Sequence, residues 1–228
     1  MRILLLGHGR MGRLVESLAP AYGATIAGIV DERSGERAIA EGDFGAVDVA
    51  VDFTLADAVV ANLTQLAARR INVVIGTTGW QAQEAAMRDL ATRAGIGVLA
   101  ASNFSIGMNV FQLAVEEASR HFATQAEFGA WIHESHHVMK KDAPSGTALT
   151  LKAGIEGAGY GRPIDVSSTR VGSVPGTHTV GFDGPSETIE LTHTVRDRAV
   201  FARGALSAAA WLVGKRGWFS IRDMLSGK

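Results

Sequence analysis

The chain has 228 residues, of which 46% are hydrophobic and 20% charged, and its formal net charge at pH 7 is −1. This composition is typical of a globular protein with a packed core and excludes a disordered or fibrous chain. The near-neutral charge gives no overall attraction to nucleic acid or to an anionic membrane, so we expect neither as a partner. The sequence has no cysteine, which excludes disulfides and Cys-ligated metals, and no signal-like or membrane-spanning apolar stretch, so we expect a cytoplasmic protein.

Through the first hundred residues, short apolar runs alternate with longer stretches of helical periodicity. The runs cover residues 3–6, 25–30, 47–53, 72–75 and 96–100. Between them, apolar residues recur at three- and four-residue spacing, as at Val59, Leu63 and Leu66, which predicts crossover helices. This alternation is typical of βαβ units, so the sequence predicts an α/β, Rossmann-like domain with a parallel sheet.

A complete G-x-G-x-x-G motif, Gly7-His8-Gly9-Arg10-Met11-Gly12, follows the first strand and opens a helical stretch. In dinucleotide-binding folds the three glycines permit the tight turn, the close approach of a pyrophosphate and the packing of helix on strand. Asp31 ends the second predicted strand, where such folds place the acid that binds a ribose 2′-hydroxyl. Asp31 favours NADH, whereas Arg10 and Arg33 could bind the additional phosphate of NADPH, so both cofactors remain possible.

Two further strand ends should lie on the same carboxyl edge of the sheet. Gly76-Thr77-Thr78-Gly79 follows the fourth strand and could either contact the cofactor or form a plain turn into the next helix. Asp52-Phe53-Thr54 follows the third strand, and here we favour a structural interpretation, in which Phe53 packs in the core and Asp52 caps a helix.

Beyond residue 102, β-branched residues with glycine and proline punctuation replace the Ala- and Leu-rich pattern. Strands of a second, partly antiparallel sheet are predicted within residues 167–176, 177–182 and 187–193. The stretch 205–213 is again helical and could return to pack on the first domain. The chain therefore divides into a dinucleotide-binding domain, residues 1–104 and 203–228, and a second α+β domain, residues 105–202.

The densest polar segment of the chain is His133-Glu134-Ser135-His136-His137 and the ten residues that follow. The first five residues formally satisfy H-E-x-x-H, a zinc motif that requires a helix. Residues 128–132 are instead rich in the aromatic, β-branched and glycine residues that favour a strand, and Ala143 stands where a third metal ligand would be expected. We therefore predict no metal site, with a zinc hydrolase as a minor alternative.

Acid catalysis and anion binding are the second interpretation of this segment. His136 and Lys140 can both donate protons, and they lie four residues apart at a strand-to-loop junction. Pro144-Ser145-Gly146-Thr147 opens a predicted helix, whose N-terminal N–H groups and neighbouring hydroxyls would bind a carboxylate. The alternative is a solvated polar loop in which Asp142 and Ser145 cap that helix.

Residues 134–148 match the signature E-x-H-H-x-x-K-x-D-A-P-S-G-T-A without a break. In this segment the chain resembles the 4-hydroxy-tetrahydrodipicolinate reductase (dihydrodipicolinate reductase) family. The resemblance covers essentially the whole chain, including residues 9–12, 51–54, 76–79 and 102–107. It implies a substrate-binding second domain with an open mixed sheet, through which a homotetramer is built.

The resemblance also implies an activity, the NADH- or NADPH-dependent reduction of 4-hydroxy-tetrahydrodipicolinate in lysine biosynthesis through diaminopimelate. Another Rossmann oxidoreductase acting on a small amino or dicarboxylic acid is the alternative. By resemblance, His136 is the proton donor and acceptor and Lys140 the general acid. The residues expected to bind the substrate are His137, Lys140, Ser145, Gly146, Thr147 and Arg198. The residues expected to bind the cofactor are Gly7, His8, Gly9, Arg10, Met11, Gly12, Asp31, Gly76, Thr77, Thr78, Ser102, Asn103, Phe104 and Ser105.

Overall fold

The apolar runs of the first hundred residues form parallel strands in the computed structural model, which describes residues 1–227. The helices and strands up to residue 100 are β1 (Arg2–Leu6), α1 (Arg10–Leu18), β2 (Thr25–Val30), α2 (Ala38–Glu41), β3 (Val49–Asp52), α3 (Ala56–Ala68), β4 (Asn72–Ile75), α4 (Glu84–Ala94) and β5 (Gly97–Ala100). Those that follow are α5 (Ile106–Ala123), β6 (Gly129–His136), α6 (Gly146–Gly157), β7 (Ile164–Arg170), β8 (Thr177–Asp183), β9 (Thr188–Thr194), α7 (Ala199–Leu212), β10 (Gly217–Phe219) and α8 (Ile221–Leu225).

These elements fall into two compact units. Unit 1 consists of Met1–Ile106 and the chain from Ala199 onward, and unit 2 consists of Gly107–Arg198. Among residues 1–227, no helix combines the length and the apolar character that a membrane crossing requires.

Unit 1 is built on a six-stranded parallel sheet in the order β2-β1-β3-β4-β5-β10. Because β1 pairs with β2 on one side and β3 on the other, the direction of winding reverses beside β1, and this creates a topological switch point. Alternate residues of β1 pack into different clusters: Ile3 and Leu5 on one face, Leu4 and Leu6 on the other. Helices therefore cover both faces, and the predicted Rossmann-like domain is confirmed.

Unit 2 is built on a four-stranded mixed sheet in the order β7-β6-β8-β9. β6 is parallel to β7 and antiparallel to β8, which is antiparallel to β9. One face of this sheet packs on the apolar sides of α5 and α6, through residues such as Ile132, Val180 and Phe182. The opposite face is polar and partly exposed, and the predicted second, mixed sheet is confirmed.

The 18-residue helix α5 was not among the sequence predictions. Its buried residues Met108, Phe111 and Val115 have helical spacing, and they pack in the core of unit 2. The shift to β-branched residues that we placed beyond residue 102 begins only after this helix. Helix α7, predicted within 205–213, begins earlier, at Ala199, and packs against α1 in unit 1.

Candidate active site

The carboxyl ends of the parallel strands of unit 1 meet at one edge of its sheet. The predicted cofactor residues follow four of these strands: residues 7–12 after β1, Asp31 after β2, and residues 76–78 and 102–105 after β4 and β5. Ligands of doubly wound sheets bind outside this edge, at the switch point. The structure thus brings together residues that are distant in the sequence.

The three glycines of the β1–α1 loop have different steric surroundings. A Cβ atom at Gly7, whose φ is +84°, would lie 2.6 Å from the carbonyl oxygen of Phe53, and one at Gly12 would lie 2.1 Å from the carbonyl oxygen of Gly7. A Cβ at Gly9 would meet nothing within 4 Å. Gly7 and Gly12 therefore permit close packing, while Gly9 leaves open space beside the backbone.

Helix α1 begins directly after this open space. Gly9 is its N-cap and offers no side chain to the first-turn N–H groups, and within the described chain its first turn carries no acidic residue. Free N–H groups and the positive end of the helix dipole suit a pyrophosphate, so the loop fits a dinucleotide. The His8 side chain contacts Glu16, with Nε2 2.7 Å from Oε2. The Arg10 side chain is exposed.

Asp31 forms an ion pair with Arg33, whose Nη2 lies 2.8 Å from Oδ2. The Arg33 side chain and backbone N–H hold the pKa of Asp31 below its usual value. A cavity of about 700 Å³ opens beside the end of β2 and is lined in part by Val30, Ser34 and Arg37. A carboxylate that could bind a ribose hydroxyl and a guanidinium that could bind a phosphate are therefore adjacent.

Asp52 is buried at the end of β3, and it does not cap a helix. Its carboxylate accepts hydrogen bonds from the backbone N–H and hydroxyl of Thr54 (2.8 and 2.6 Å), from Nδ2 of Asn62 (3.0 Å) and from the hydroxyl of Thr77 (3.3 Å). Helix α3 begins four residues later with Leu55 as its N-cap. The helix-cap prediction is therefore wrong: Asp52 connects the loops that follow β3 and β4.

The loops after β4 and β5 combine buried and exposed residues. Thr77 is buried, and its carbonyl oxygen accepts from the Trp80 indole at 2.8 Å, whereas Thr78 is exposed. After β5, Ser102 is exposed, Phe104 is buried, and the Asn103 side chain accepts from the Ser105 N–H at 2.8 Å.

In unit 2, the segment with the formal zinc motif is a strand. Residues 133–136 belong to β6, so the helical zinc site considered above is wrong. Alternate side chains of β6 point to opposite faces of the sheet. His133 bonds Ser167 at 2.9 Å on the polar face, whereas Glu134 and His136 are buried.

Glu134 is the centre of a buried polar cluster. Its Oε1 atom accepts from the Ser145 N–H (2.9 Å), the Ser168 hydroxyl (2.8 Å) and Nη2 of Arg170 (2.8 Å). Burial alone would raise the pKa of Glu134, but these hydrogen bonds lower it to about 2. A carboxylate with no exposed surface is thus held in its ionised form.

Two histidines face the other oxygen of this carboxylate. Oε2 of Glu134 lies 3.4 Å from Nδ1 of His136 and 3.5 Å from Nε2 of His178, which stands opposite Glu134 on β8. Burial lowers the pKa of His136 and lowers that of His178 to about 4. Both rings are therefore neutral near pH 7. A Cβ at Gly176 would lie 3.1 Å from Nε2 of His136, so this glycine leaves that edge of the ring open.

Helix α6 begins beside the cluster. Ser145 is its N-cap and accepts from the Ala148 N–H at 3.2 Å, and a Cβ at Gly146 would meet nothing within 4 Å. The first turn of α6, including Thr147, carries no acidic residue in the described chain. This end of the helix can accept an anion, and Ser145 also caps it, as the polar-loop interpretation expected.

The loop between β6 and α6 positions the cationic candidates. Lys140 forms an ion pair with Asp142, with Nζ 2.8 and 2.9 Å from the two carboxylate oxygens, and Ser145 is the N-cap of α6. The Lys140 side chain lowers the pKa of Asp142, and the Gly146 N–H at the start of α6 contributes to this shift. The carbonyl oxygen of His137 accepts from the Lys140 N–H at 3.1 Å. Arg198 is exposed between β9 and α7.

Sequence reasoning missed four residues of this cluster: Ser168, Arg170, Gly176 and His178. The sequence did contain a signal for His178, because it lies two residues before Val180 and four before Phe182 and so shares their buried face of β8. Arg170 ends β7 and also donates to the carbonyl oxygen of Asp142, which anchors the loop. Nothing near Arg170 in the sequence indicates its partner.

Three side chains of the cluster also have the spacing of a metal site. Ligand atoms of Glu134, His136 and His178 all lie within 4.8 Å of one another. A carboxylate and two imidazoles could bind a divalent cation. The guanidinium of Arg170 already pairs with the same carboxylate through Oε1, while Oε2 has no hydrogen-bond partner among residues 1–227.

Two family models together match nearly the whole chain. The model described as "Dihydrodipicolinate reductase, N-terminus" matches residues 1–104, and "Dihydrodipicolinate reductase, C-terminus" matches residues 107–225. Among curated relatives, the 4-hydroxy-tetrahydrodipicolinate reductase of Xanthomonas axonopodis pv. citri is 41% identical, and that of Christiangramia forsetii is 35% identical. Each alignment covers 99% of this chain and 98% of the relative.

Two solved structures share the fold of this chain. A dipicolinate-bound dihydrodipicolinate reductase from Paenisporosarcina sp. TG-14 matches with a TM-score of 0.81 at 21% identity, covering 96% of this chain and 97% of that one. A probable dehydrogenase from Thermotoga maritima matches with a TM-score of 0.60 at 11% identity, covering 100% of this chain and 90% of that one.

Proposed function

Because the chain belongs to the dihydrodipicolinate reductase family, we propose that it is a 4-hydroxy-tetrahydrodipicolinate reductase. The reaction is the NAD(P)H-dependent reduction of 4-hydroxy-2,3,4,5-tetrahydrodipicolinate to 2,3,4,5-tetrahydrodipicolinate, with loss of the 4-hydroxyl group as water. It is a step of lysine biosynthesis through diaminopimelate.

The observation that carries this proposal is the gathering of acid groups and an anion-binding helix end around Glu134 in unit 2. The substrate is a cyclic imine with two carboxylates. The open first turn of α6, at Gly146 and Thr147, suits one carboxylate, and the cationic side chain of Lys140 suits a carboxylate or the developing charge on the ring. We assign further substrate contacts to His137, Ser145 and Arg198.

We assign the cofactor to the carboxyl edge of the unit 1 sheet, where residues 7–12, Asp31, 76–78 and 102–105 lie. When bound, the reduced nicotinamide supplies the hydride. The N-terminus of α1 binds the pyrophosphate, and Asp31 orients the ribose. The loops tied together by Asp52 hold the exposed Thr78 at that edge.

Unit 2 provides the side chains that transfer protons. Lys140, released from Asp142 by the arriving substrate anion, acts as general acid. His136 gives or takes a proton at Nε2, the ring edge left open by Gly176. Its neutral state near pH 7 suits this role, because a lowered pKa lets the imidazole exchange a proton rather than stay charged.

We propose that both NADH and NADPH serve as reductant, since Asp31 suits a free 2′-hydroxyl and the adjacent Arg33 suits a 2′-phosphate. We further propose a homotetramer assembled through unit 2, in line with the partly exposed polar face of its mixed sheet. Light scattering on the purified protein measures the assembly directly.

The test of the function is the decrease of NADH and NADPH absorbance when a partner synthase makes the substrate in place from pyruvate and aspartate semialdehyde. Oxidation that depends on the synthase and both of its substrates is expected. Binding of NADH without turnover would leave unit 1 as a dinucleotide site and contradict the reductase assignment.

A further inference from the structure

Two buried polar atoms face each other in unit 2 without a normal hydrogen bond. Oε2 of Glu134 and Nδ1 of His136 are 3.4 Å apart, and neither atom has a hydrogen-bond partner among residues 1–227. This separation exceeds the usual 2.7–3.2 Å of an N–H···O bond. A buried polar atom without a hydrogen-bond partner lowers the stability of the folded state. It is therefore important which ring nitrogen of His136 carries the proton, because this decides whether Oε2 faces a donor.

The orientation of the Glu134 carboxylate is fixed by its other oxygen. Three donors, including the Arg170 guanidinium, bind Oε1 and stabilise the ionised form. An ionised carboxylate can only accept hydrogen bonds. Oε2 therefore presents an acceptor to the ring of His136.

The ring of His136 can satisfy this acceptor in only one of its two neutral tautomers. With the proton on Nδ1, a donor faces the anionic Oε2 across 3.4 Å, an electrostatic attraction longer than a normal hydrogen bond; Nε2 of His178 faces the same oxygen at 3.5 Å. With the proton on Nε2, two lone pairs would face each other in a buried site. The first tautomer leaves Nε2 unprotonated, at the edge beside Gly176.

We propose that Glu134 is a positioning residue for the reductase reaction, holding His136 as the Nδ1–H tautomer so that Nε2 is free to exchange a proton. The same carboxylate holds the Ser145 N–H, which fixes the start of α6 relative to His136. One buried acid thus aligns the proton-exchanging ring and the anion-binding helix end. This inference rests on the proposed function for its kinetic consequence, but not for the tautomer itself.

The experiment combines the isosteric variant Glu134→Gln with ring-nitrogen NMR of His136, whose signals are assigned by their loss in His136→Asn. In the variant the amide oxygen can keep the donors at Oε1, and the amide NH₂ replaces Oε2. A donor then faces Nδ1, so the ring should change to the Nε2–H tautomer. In serine-protease triads the equivalent acid-to-amide change lowers kcat about 10⁴-fold through the wrong tautomer.

In the resting wild-type enzyme we expect the Nδ1–H tautomer. In Glu134→Gln we expect the Nε2–H tautomer and a kcat lowered by about 10²–10⁴-fold, with the NADH dissociation constant unchanged. Ser167→Ala is the matched control, because Ser167 is the neighbouring serine on β7 and its hydroxyl bonds His133 on the polar face of the sheet rather than Glu134. It should keep the tautomer and change kcat by no more than about twofold.

An Nε2–H tautomer in the wild type would overturn the inference even if Glu134→Gln did not fold. A changed tautomer with unchanged kcat would overturn its link to catalysis. Loss of activity on dialysis against EDTA, restored by Zn²⁺, would replace it with a metal site at Glu134, His136 and His178. Since the tautomer is measured without substrate, absence of reductase activity would contradict only the proposed function.

Discussion

Each unit contains one buried carboxylate near a strand end, and the two differ in their electrostatics. Asp52 of unit 1 receives hydrogen bonds from neutral groups of Thr54, Asn62 and Thr77, and burial raises its pKa. Glu134 of unit 2 is equally inaccessible, but its donors include a guanidinium, and its pKa falls to about 2. Desolvation favours the neutral acid in both cases, and at Glu134 the hydrogen bonds from Ser145, Arg170 and Ser168 together outweigh it.

The two carboxylates also organise different kinds of site. Asp52 joins two backbone loops at the edge of a parallel sheet, where the candidate contacts are mostly glycines and N–H groups. Glu134 organises side chains, namely two histidines, an arginine and the helix-capping Ser145. We conclude that the unit 1 site depends on backbone shape, whereas the unit 2 site depends on charge.

The largest effect is expected when the proposed proton-transfer side chains of unit 2 are removed. His136→Ala and Lys140→Ala should each lower kcat by about 10²–10⁴-fold, because a general acid typically contributes that factor. Lys140→Ala should also raise KM, since its ammonium group would bind the substrate. Initial rates give both constants, and fluorescence titration with NADH should show unchanged cofactor binding. Normal turnover of Lys140→Ala would refute its assigned role.

The next largest effect is expected from removal of the cationic donor. Arg170→Met leaves Glu134 as a buried charge without its partner, which should cost about 3–5 kcal/mol of unfolding free energy. Arg33→Met is the matched control in unit 1, where the ion pair with Asp31 lies at the surface and should contribute little to stability. Urea unfolding followed by circular dichroism measures both. A loss from Arg170→Met no larger than that from Arg33→Met would contradict the stabilisation of Glu134 by its buried guanidinium partner.

The two acids should also give stability opposite dependences on pH. The unfolded pKa of Glu134 is 4.5 and the folded value about 2, so its contribution is present above pH 4.5 and is lost as pH falls toward 2. Burial holds the folded pKa of Asp52 above its ordinary value of 3.8, so the folded state binds its proton more tightly and its contribution falls as pH rises above 3.8.

Urea unfolding midpoints measured between pH 3 and 7 give the pH dependence of the free energy of unfolding. Relative to wild type, the deficit of Glu134→Gln should shrink as pH falls below 4.5, and Asp52→Asn should become relatively more stable as pH rises above 3.8. Parallel curves for wild type and both variants would show that neither acid titrates differently on folding.

The smallest effect concerns the choice of cofactor. Asp31→Ala should lower kcat/KM for NADH more than for NADPH, and Arg33→Ala should do the reverse, each by roughly fivefold, because the Asp31–Arg33 pair lies at the surface. Rates with the two cofactors at equal concentration give the ratio. If neither substitution changed the ratio of kcat/KM for NADH to that for NADPH, other residues, such as Arg10, would recognise the 2′ position.

Local patterns were sufficient for much of the fold. The apolar runs ending at Leu6 and Ile75 predicted strands of unit 1, and the composition before His133 predicted β6. Helix α5 was missed, although Met108, Phe111 and Val115 have helical spacing, because the later β-branched pattern was extended over it. The role of Asp52 was misassigned because its partners Asn62 and Thr77 lie outside its own turn.

The sequence by itself determined the chemical groups and their local framework: the glycine spacing at 7–12 and the polar segment 134–148 with its helix end. These are short-range properties, set by φ angles, caps and side-chain types. Tertiary structure alone decided that Arg170, 36 residues from Glu134, donates a hydrogen bond to that buried acid, and that His178 faces it from β8. An alternating pattern determines which face of a strand is buried, but not which strand and register will lie beside it.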